Sequence, residues 1–320
     1  MSTMPCGAVD STSLLHGRSG SSAGPSDVSA GEASLQRCAS PGLFPGAHLA
    51  LGEAEVGPQE SGAGRRSWEL PAVIVEGEAA SSLREEDLVG SYGQPRWTAA
   101  RRFPSTRVYV IPEGKVEVEA WARATVLRAD QGGETEWRFL QEFEVGLPHR
   151  FQLDVYARQD YDTASDETLW GGQFEVRYAL ADWGKLWGNP ALYFEYLVLE
   201  DRPDKIEPKL LLGGEVAEGW HWGTNLVFEY ELSGEREAEY AVTAAASRTI
   251  VDEVVSLGVE TVFSAEDVKG ERGDFSKSLV VGPSLQWHPV PNATLNFAPL
   301  IGVTNDSPAA QIYFNFGWEF

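Results

Sequence analysis

Apolar and polar residues alternate with a period of two from about residue 106 to the end of the chain. Successive side chains of a β-strand point to opposite faces, so this alternation indicates strands with one apolar and one polar face. The final segment, QIYFNFGWEF, places Ile312, Phe314, Phe316, Trp318 and Phe320 on one face. No amphipathic helical pattern separates the alternating segments, and we therefore predict an antiparallel sheet.

The alternating segments are short and are separated by Gly, Asp, Asn and Pro. They cover residues 107–111, 115–127, 134–145, 150–158, 168–180, 191–199, 206–216, 220–231, 237–248, 253–264, 275–288, 293–303 and 309–320. Most have at least the nine to eleven residues, roughly, that a tilted strand needs to cross a bilayer. No apolar run approaches the roughly 18 residues of a membrane-spanning helix, so only a closed β-barrel could span a membrane.

The connections between the segments are of two alternating kinds, counted from the strand predicted at residue 115. One set is mostly acidic and flexible: QGGE, QDYDTASDE, EDRPDK, SGERE, AEDVKGERGD and NDSPA. The other set is short, apart from its Trp-bearing member: GLPH, ADWGKLWGNP, AEG, RTIVD and PVPN. Membrane barrels separate longer loops from tight turns in this way, and their strand number is even. We predict an all-β, up-and-down antiparallel barrel of about twelve strands.

The two faces of the predicted strands differ in character. One face carries apolar columns such as Trp137, Phe139 and Phe143. The opposite face carries the charged residues that would line a lumen. These lumen candidates are Glu117, Glu119, Arg123, Arg138, Glu142, Asp154, Arg158, Glu175, Arg177, Glu195, Lys209, Glu229, Glu231, Glu239 and Glu260. In a soluble barrel the apolar face would be the core, whereas in a membrane barrel it would meet lipid. The aromatic C-terminus, the sorted connections and the even strand number favour the membrane barrel.

The C-terminal residues carry a resemblance to known proteins. YFNFGWEF is similar to the signal read by the bacterial barrel-assembly machinery, through Tyr313, Phe314, Phe316, Gly317, Trp318 and Phe320. Gly317 lies closer to the terminus than in the usual pattern. The segment 105–320 resembles bacterial outer-membrane β-barrels, and the whole chain loosely resembles the phenol-degradation-pathway porin-like family. The resemblance implies an outer-membrane location, contact with outer-membrane lipid and the assembly machinery, and a channel role, but no particular solute.

The N-terminal third differs in composition. Residues 1–66 are rich in Gly, Ser, Ala and Pro, and we predict a disordered or leader-like segment. Its best signal-peptide candidate, LFPGAHLAL at 43–51, is interrupted by Pro45, Gly46 and His48, so we expect a degenerate signal or a misassigned start codon. Residues 67–104 are predicted to be a periplasmic linker. Within them ELPAVIVEGE, at 69–78, resembles the energy-coupling box of TonB-dependent receptors, with a plain extended linker as the alternative.

A basic cluster follows in this acidic chain: Arg96, Arg101, Arg102 and Arg107. These side chains are expected either to face acidic residues at the lower rim of the barrel or to be solvated. The formal net charge is −23, which excludes the basic surface that nucleic-acid binding requires, and we predict no nucleic-acid partner.

The sequence offers no catalytic or metal-binding constellation. Cys6 and Cys38 are the only cysteines and both lie in the N-terminal tail, so the predicted barrel has neither a disulfide nor a cysteine metal site. His149, His221 and His288 have no serine at an obvious nucleophile spacing. DYDTASDE lacks the spacing of a calcium loop. We predict no catalytic residue, no metal and no cofactor.

The functional prediction is a narrow channel or small-solute transporter in the outer membrane. Acidic residues outnumber basic residues on the inward face, so a pore should favour cations, most strongly near Glu229, Glu231 and Glu239 at its outer mouth. One alternative is a structural or envelope-interaction barrel closed by ion pairs such as Glu119–Arg123 and Glu175–Arg177. Another is a barrel-embedded lipid-modifying enzyme.

Overall fold

The computed structural model describes residues 84–267, 270 and 272–320. The described chain is all-β apart from short 3-10 turns, which include Arg96–Thr98, Ala129–Gln131 and Pro148–Arg150. No helix in this part of the chain is long and apolar enough to cross a membrane. The leader-like prediction for 1–66 and the resemblance to an energy-coupling box at 69–78 lie outside the described residues.

Within the described residues, fourteen strands form two sheets, a small β1–β2 pair and one closed barrel. The pair is β1 (Leu88–Val89) and β2 (Gln94–Pro95). The barrel strands are β3 (Val116–Val126), β4 (Thr135–Leu147), β5 (Phe151–Asp162), β6 (Glu167–Ala179), β7 (Ala191–Leu199), β8 (Lys205–Ala217), β9 (Trp220–Glu231), β10 (Ala238–Val251), β11 (Val255–Asp267), β12 (Ser276–Val290), β13 (Ala293–Gly302) and β14 (Ala310–Glu319).

Each barrel strand pairs with its neighbours in the chain, and β14 returns to pair with β3. The closing register runs from Ala310 opposite Val126 to Glu319 opposite Glu117. The predicted antiparallel up-and-down barrel of about twelve strands is therefore confirmed. The prediction of a strand at 107–111 is wrong, because these residues adopt no regular secondary structure and lie inside the barrel.

The two ends of the barrel differ in their connections. The short-turn end carries 148–150, 180–190, 218–219, 252–254 and 291–292, and the chain also enters β3 and leaves β14 there. The long-loop end carries 127–134, 163–166, 200–204, 232–237, 268–275 and 303–309. Apart from the Trp-bearing 180–190, every connection at the short-turn end is shorter than every connection at the long-loop end. This arrangement agrees with the predicted sorting of the loops.

Large apolar side chains cover the outside of the barrel while charged side chains are buried inside it. Phe143 is 47% exposed and Phe174 is 56% exposed, whereas their chain neighbours Glu142 and Glu175 are 1% and 0% exposed. A soluble protein shows the opposite distribution. An apolar outer band around a polar interior is the pattern of a barrel whose outer surface meets lipid.

Residues 84–115, which we call the lumen segment, precede β3; their first part is partly exposed at the short-turn end, and residues 92–112 are largely buried in the interior of the barrel. Trp97, Phe103, Tyr109 and Val110 of this segment are buried in an apolar cluster with wall residues that include Leu211. The interior of this barrel therefore has a small packed core of its own. The predicted boundary at residue 105, between a linker and the barrel, falls within the lumen segment.

Candidate functional site

The interior of the barrel has two parts, one filled by the lumen segment and one left open as a cavity. The filled part is organised around Arg101 of the lumen segment. Its guanidinium binds Glu119 of β3 through Nε at 3.0 and 2.9 Å, and it lies 3.2 Å from Glu142 and 3.4 Å from Glu144 of β4. The same guanidinium lies 4.0 Å from the ring centroid of Trp121. All three carboxylates are nearly inaccessible to solvent.

Arg107 provides the second cation of this cluster. It donates hydrogen bonds to Glu142 at 2.5 Å and to Glu144 at 2.7 Å. Burial alone would lower the pKa of Arg107, but the neighbouring carboxylates of Glu142, Glu144 and Glu119 raise it well above its usual value. The lumen segment thus supplies positive charges that the buried acids of the wall need.

A third arginine of the cluster comes from the wall itself. Arg177 of β6 pairs with Asp154 at 2.9 Å and with Glu175 on its own strand. The predicted pair Glu175–Arg177 is therefore present. The predicted pair Glu119–Arg123 is not, because Glu119 binds Arg101 and Arg107 of the lumen segment instead.

Side chains from strands around the barrel also bind the main chain of the lumen segment. Asn225 of β9 accepts a hydrogen bond from the NH of Arg107 at 2.9 Å and donates one to its carbonyl at 2.6 Å. Other wall contacts are Gln152 with the NH of Ile111, Glu260 with the NH of Ser105, and Gln286 with the carbonyl of Arg101, each at 2.8 Å. Contacts on β5, β9, β11 and β12 show that the segment crosses the lumen from wall to wall.

Two wall glycines make room for this crossing. A Cβ at Gly213 of β8 would overlap Val108, and one at Gly223 of β9 would lie 3.1 Å from both Thr106 and Val108. Gly213 and Gly223 are cross-strand partners. Because neither carries a side chain, the main chain of the lumen segment can pass close to the wall.

At the short-turn end the segment is fixed by a second set of contacts. Arg102 donates hydrogen bonds to Glu85 at 3.1 Å, Ser247 at 3.0 Å and Thr249 at 2.7 Å. It also lies 2.8 Å from Nδ1 of His221. Arg96 pairs with Glu253 in the turn 252–254. Of the two options for the basic cluster, the structure shows arginines facing acidic residues.

The open part of the lumen is a polar cavity of about 640 Å³ that reaches the connections of the long-loop end. A smaller space of about 250 Å³ continues it towards Ser105, Thr106 and Arg107 of the lumen segment. The two spaces share lining residues that include Arg123, Arg138 and Glu229. The lumen segment is thus the floor of one continuous cavity.

The arginines of the cavity lining lie opposite a group of glutamates, although Glu136, Asp162 and Glu167 also line the arginine side, nearer the long-loop end. The basic wall consists of Arg123, Arg138 and Arg158, on β3, β4 and β5. The acidic wall consists of Glu229, Glu231, Glu239 and Glu266, on β9, β10 and β11. In the ring of strands β4 and β10 are diametrically opposite, so the two walls face each other across the cavity.

The lumen candidates of the sequence fall into both parts of the interior. Those in the filled part are Glu117, Glu119, Glu142, Asp154, Glu175, Arg177 and Glu260, of which Glu142 also borders the smaller space. Those lining the cavity are Arg123, Arg138, Arg158, Glu195, Lys209, Glu229, Glu231 and Glu239. Sequence reasoning missed the lumen segment as an interior element. The signals for it were the four arginines in an acidic chain and the glycines on inward positions of β8 and β9.

The residues of the predicted assembly signal all belong to β14 or follow it directly. Phe314, Phe316 and Trp318 are exposed on the outer face, and Tyr313 is buried inside. Gly317 faces inward, where a Cβ would lie 2.6 Å from the Glu117 carboxylate. Phe320 donates its NH to the carbonyl of Val116 at 3.0 Å.

No protein-family model matches the chain, and no curated protein matches it. Among solved structures it is similar to an outer membrane channel from Pseudomonas putida F1, at 8% identity and a TM-score of 0.51 over 67% of this chain and 98% of that chain. The NanC porin matches at 13% identity and a TM-score of 0.45, over 64% of this chain and 98% of that chain. The KdgM porin matches at 9% identity and a TM-score of 0.45, over 64% of this chain and 99% of that chain. Taken with the apolar outer band and the polar interior, the first of these similarities shows that the chain has the fold of an outer-membrane β-barrel.

Proposed function

We propose that the protein resides in the outer membrane and admits small polar solutes from the long-loop end, as a channel or transporter without catalytic activity. The observation that carries this proposal is the polar cavity of about 640 Å³ that ends on the lumen segment. Acidic residues outnumber basic residues in its lining, which supports a mild overall preference for cations.

The lumen segment determines whether a solute can pass. It binds strands around the barrel, and its arginines are held by buried carboxylates. In this conformation the route to the short-turn end is filled. Passage therefore requires the lumen segment to move, and the segment acts as the gate of the channel.

A second candidate is a non-conducting structural barrel. The ion pairs of Arg101 and Arg107 favour it, because breaking buried pairs costs several kcal/mol and would hold the segment in place. The two candidates differ in whether the lumen segment ever leaves its position.

A reversible tether of the lumen segment separates the two candidates. A Cβ at Gly213 would lie 3.3 Å from the Cβ of Val108, slightly below the roughly 3.5–4.5 Å of a disulfide, and 2.9 Å from the carbonyl oxygen of Trp222, so the cross-link requires a small shift of the wall at this position. The tether combines Val108→Cys with Gly213→Cys, in a chain whose Cys6 and Cys38 are replaced by Ser. We expect single-channel currents in a planar bilayer when the tether is reduced and their loss when it is oxidised.

The same protein in its reduced state is the matched control. Equal currents in both states would contradict the gate. The absence of current from the reduced protein and from the wild type would leave the structural barrel as the function.

A further inference from the structure

The three arginines of the basic wall have one salt-bridged carboxylate, Asp160, between them among the described residues. Arg138 binds Asp160 at 3.1 Å and Arg158 binds the same carboxylate at 2.6 Å. Arg123 is the cross-strand neighbour of Arg138, and within the described part of the chain it forms no salt bridge. Three guanidinium groups therefore share one bound carboxylate. Glu136, Asp162 and Glu167 line the same side nearer the long-loop end, and none of them forms a salt bridge with these arginines among the described residues.

The acidic wall has the opposite imbalance. Lys205 lies 2.8 Å from Glu229 and 3.6 Å from Glu231, so one ammonium group serves two carboxylates. Glu239 and Glu266 are cross-strand neighbours, and neither forms a salt bridge within the residues that the structure describes. Negative charge thus accumulates on β9 to β11.

No salt bridge joins the basic wall to the acidic wall among the described residues, because the cavity lies between them. A pure anion attracted by the arginines would be repelled by the glutamates opposite, and a pure cation would be repelled by the arginines. A solute with a carboxylate at one end and an amine at the other satisfies both walls at once. Arginine is well suited to the first contact, since its planar fork binds a carboxylate through two parallel hydrogen bonds.

We propose that the cavity is a binding site for small zwitterionic solutes, with the carboxylate held at Arg123 and Arg138 and the amine held at Glu239 and its neighbours. A volume of about 640 Å³ has room for such a molecule. The role of this site in uptake rests on the proposed channel function, but binding itself does not require conduction.

Calorimetric titration of the full chain in detergent tests the inference with three probes of similar length. The probes are 6-aminohexanoate, which carries both charges, hexanoate, which carries only the carboxylate, and hexylamine, which carries only the amine. We expect 6-aminohexanoate to bind at least about tenfold more tightly than either singly charged probe, because only it gains contacts on both walls.

Two substitutions assign the ends of the probe. Arg123→Gln should weaken 6-aminohexanoate and hexanoate, whereas Glu239→Gln should weaken 6-aminohexanoate but not hexanoate. Neither residue has a salt-bridge partner among the described residues, so neither change breaks an ion pair seen in the structure. Arg150→Gln is the matched control, because Arg150 lies in the turn 148–150, outside the cavity.

Several outcomes would overturn the inference. Binding of hexanoate as tight as that of 6-aminohexanoate, unaffected by Glu239→Gln, would show a simple anion site. Tighter binding of hexylamine would show a simple cation site, and no binding of any probe would show that the walls hold no solute. Binding of 6-aminohexanoate by a protein that passes no current would support the site while contradicting the proposed channel.

Discussion

Replacing Arg101 by Gln should release the lumen segment from the barrel wall. Arg101 lies in the middle of the buried ion-pair cluster, with a side chain only 5% exposed. Its loss leaves Glu119 with no cation nearer than Arg107, which is 3.7 Å away. Glutamine can keep one hydrogen bond but cannot supply the charge.

The size of the effect follows from these contacts. Breaking a buried ion pair from one side costs about 3–5 kcal/mol. The lost contact with the ring of Trp121 adds to this cost, while Arg107 still binds Glu142 and Glu144 and reduces it. We expect the bound position of the segment to lose about 3 kcal/mol, which raises the population of the released segment about a hundredfold.

Tryptic cleavage after Arg102 and Arg107, followed by mass spectrometry, measures this population. Both bonds are inside the barrel when the segment is bound and accessible when it is released. When release and return are fast compared with cleavage, the cleavage rate is proportional to the released fraction. The rate in the Arg101→Gln variant should therefore rise about a hundredfold, while the barrel strands remain uncut.

Arg84→Gln is the matched control within the same segment. Arg84 pairs with Asp252, but the two side chains are 68% and 41% exposed, so its loss should cost at most about 1 kcal/mol. A double-mutant cycle with Glu119→Gln should show coupling, because the second substitution removes the carboxylate that the first leaves unpaired. Cleavage of the Arg101→Gln variant at the wild-type rate, or an equal increase for Arg84→Gln, would refute the assignment of the buried cluster as the lock.

Three further predictions concern the membrane, assembly and the pore. Phe228→Arg, on the outer face of β9, should cost about 2 kcal/mol in urea unfolding from lipid vesicles. Glu239→Gln, inside on the neighbouring strand and without a salt bridge among the described residues, should cost less than about 1 kcal/mol, and equal costs would contradict the assignment of the faces. Changing Trp318 and Phe320 to Ser should remove the heat-modifiable band from the outer-membrane fraction, and an unchanged band would show that these residues are not the assembly signal. Replacing the glutamates of the acidic wall by Gln should lower the cation-over-anion selectivity measured from reversal potentials. The effect should be smaller at 1 M salt, where the Debye length is about 3 Å, and an unchanged reversal potential at low salt would argue against their role.

The barrel could be predicted from the sequence because each strand repeats the same alternation. Glu142 and Phe143, adjacent in the chain, had to lie on opposite faces, and the structure places one inside and the other outside. The alternation of short turns and longer loops then predicted an even number of strands, with the start of β3 and the end of β14 at the same end of the barrel.

The lumen segment could not be predicted in the same way. Val108 and Val110 share one parity, as the apolar residues of a strand would, but Val108, Tyr109 and Val110 are all buried inside the barrel. Alternation predicts which side chains share a face of the chain, but it does not predict what that face packs against. For the same reason Glu119 was expected to pair with Arg123 on its own strand, although the nearer cation is Arg101, from a part of the chain that local spacing does not connect to it.

The seam between β3 and β14 lies directly beside the point where the lumen segment joins the barrel. The NH of Phe320 bonds to Val116, the first residue of β3. The docked segment ends directly before Val116 and so places the first strand beside the end of the last strand. We therefore expect the barrel to close around the lumen segment, so that β3 and β14 pair only after the segment has docked. A chain whose lumen segment docks slowly should accumulate as an open sheet, because docking would then limit the rate of barrel closure.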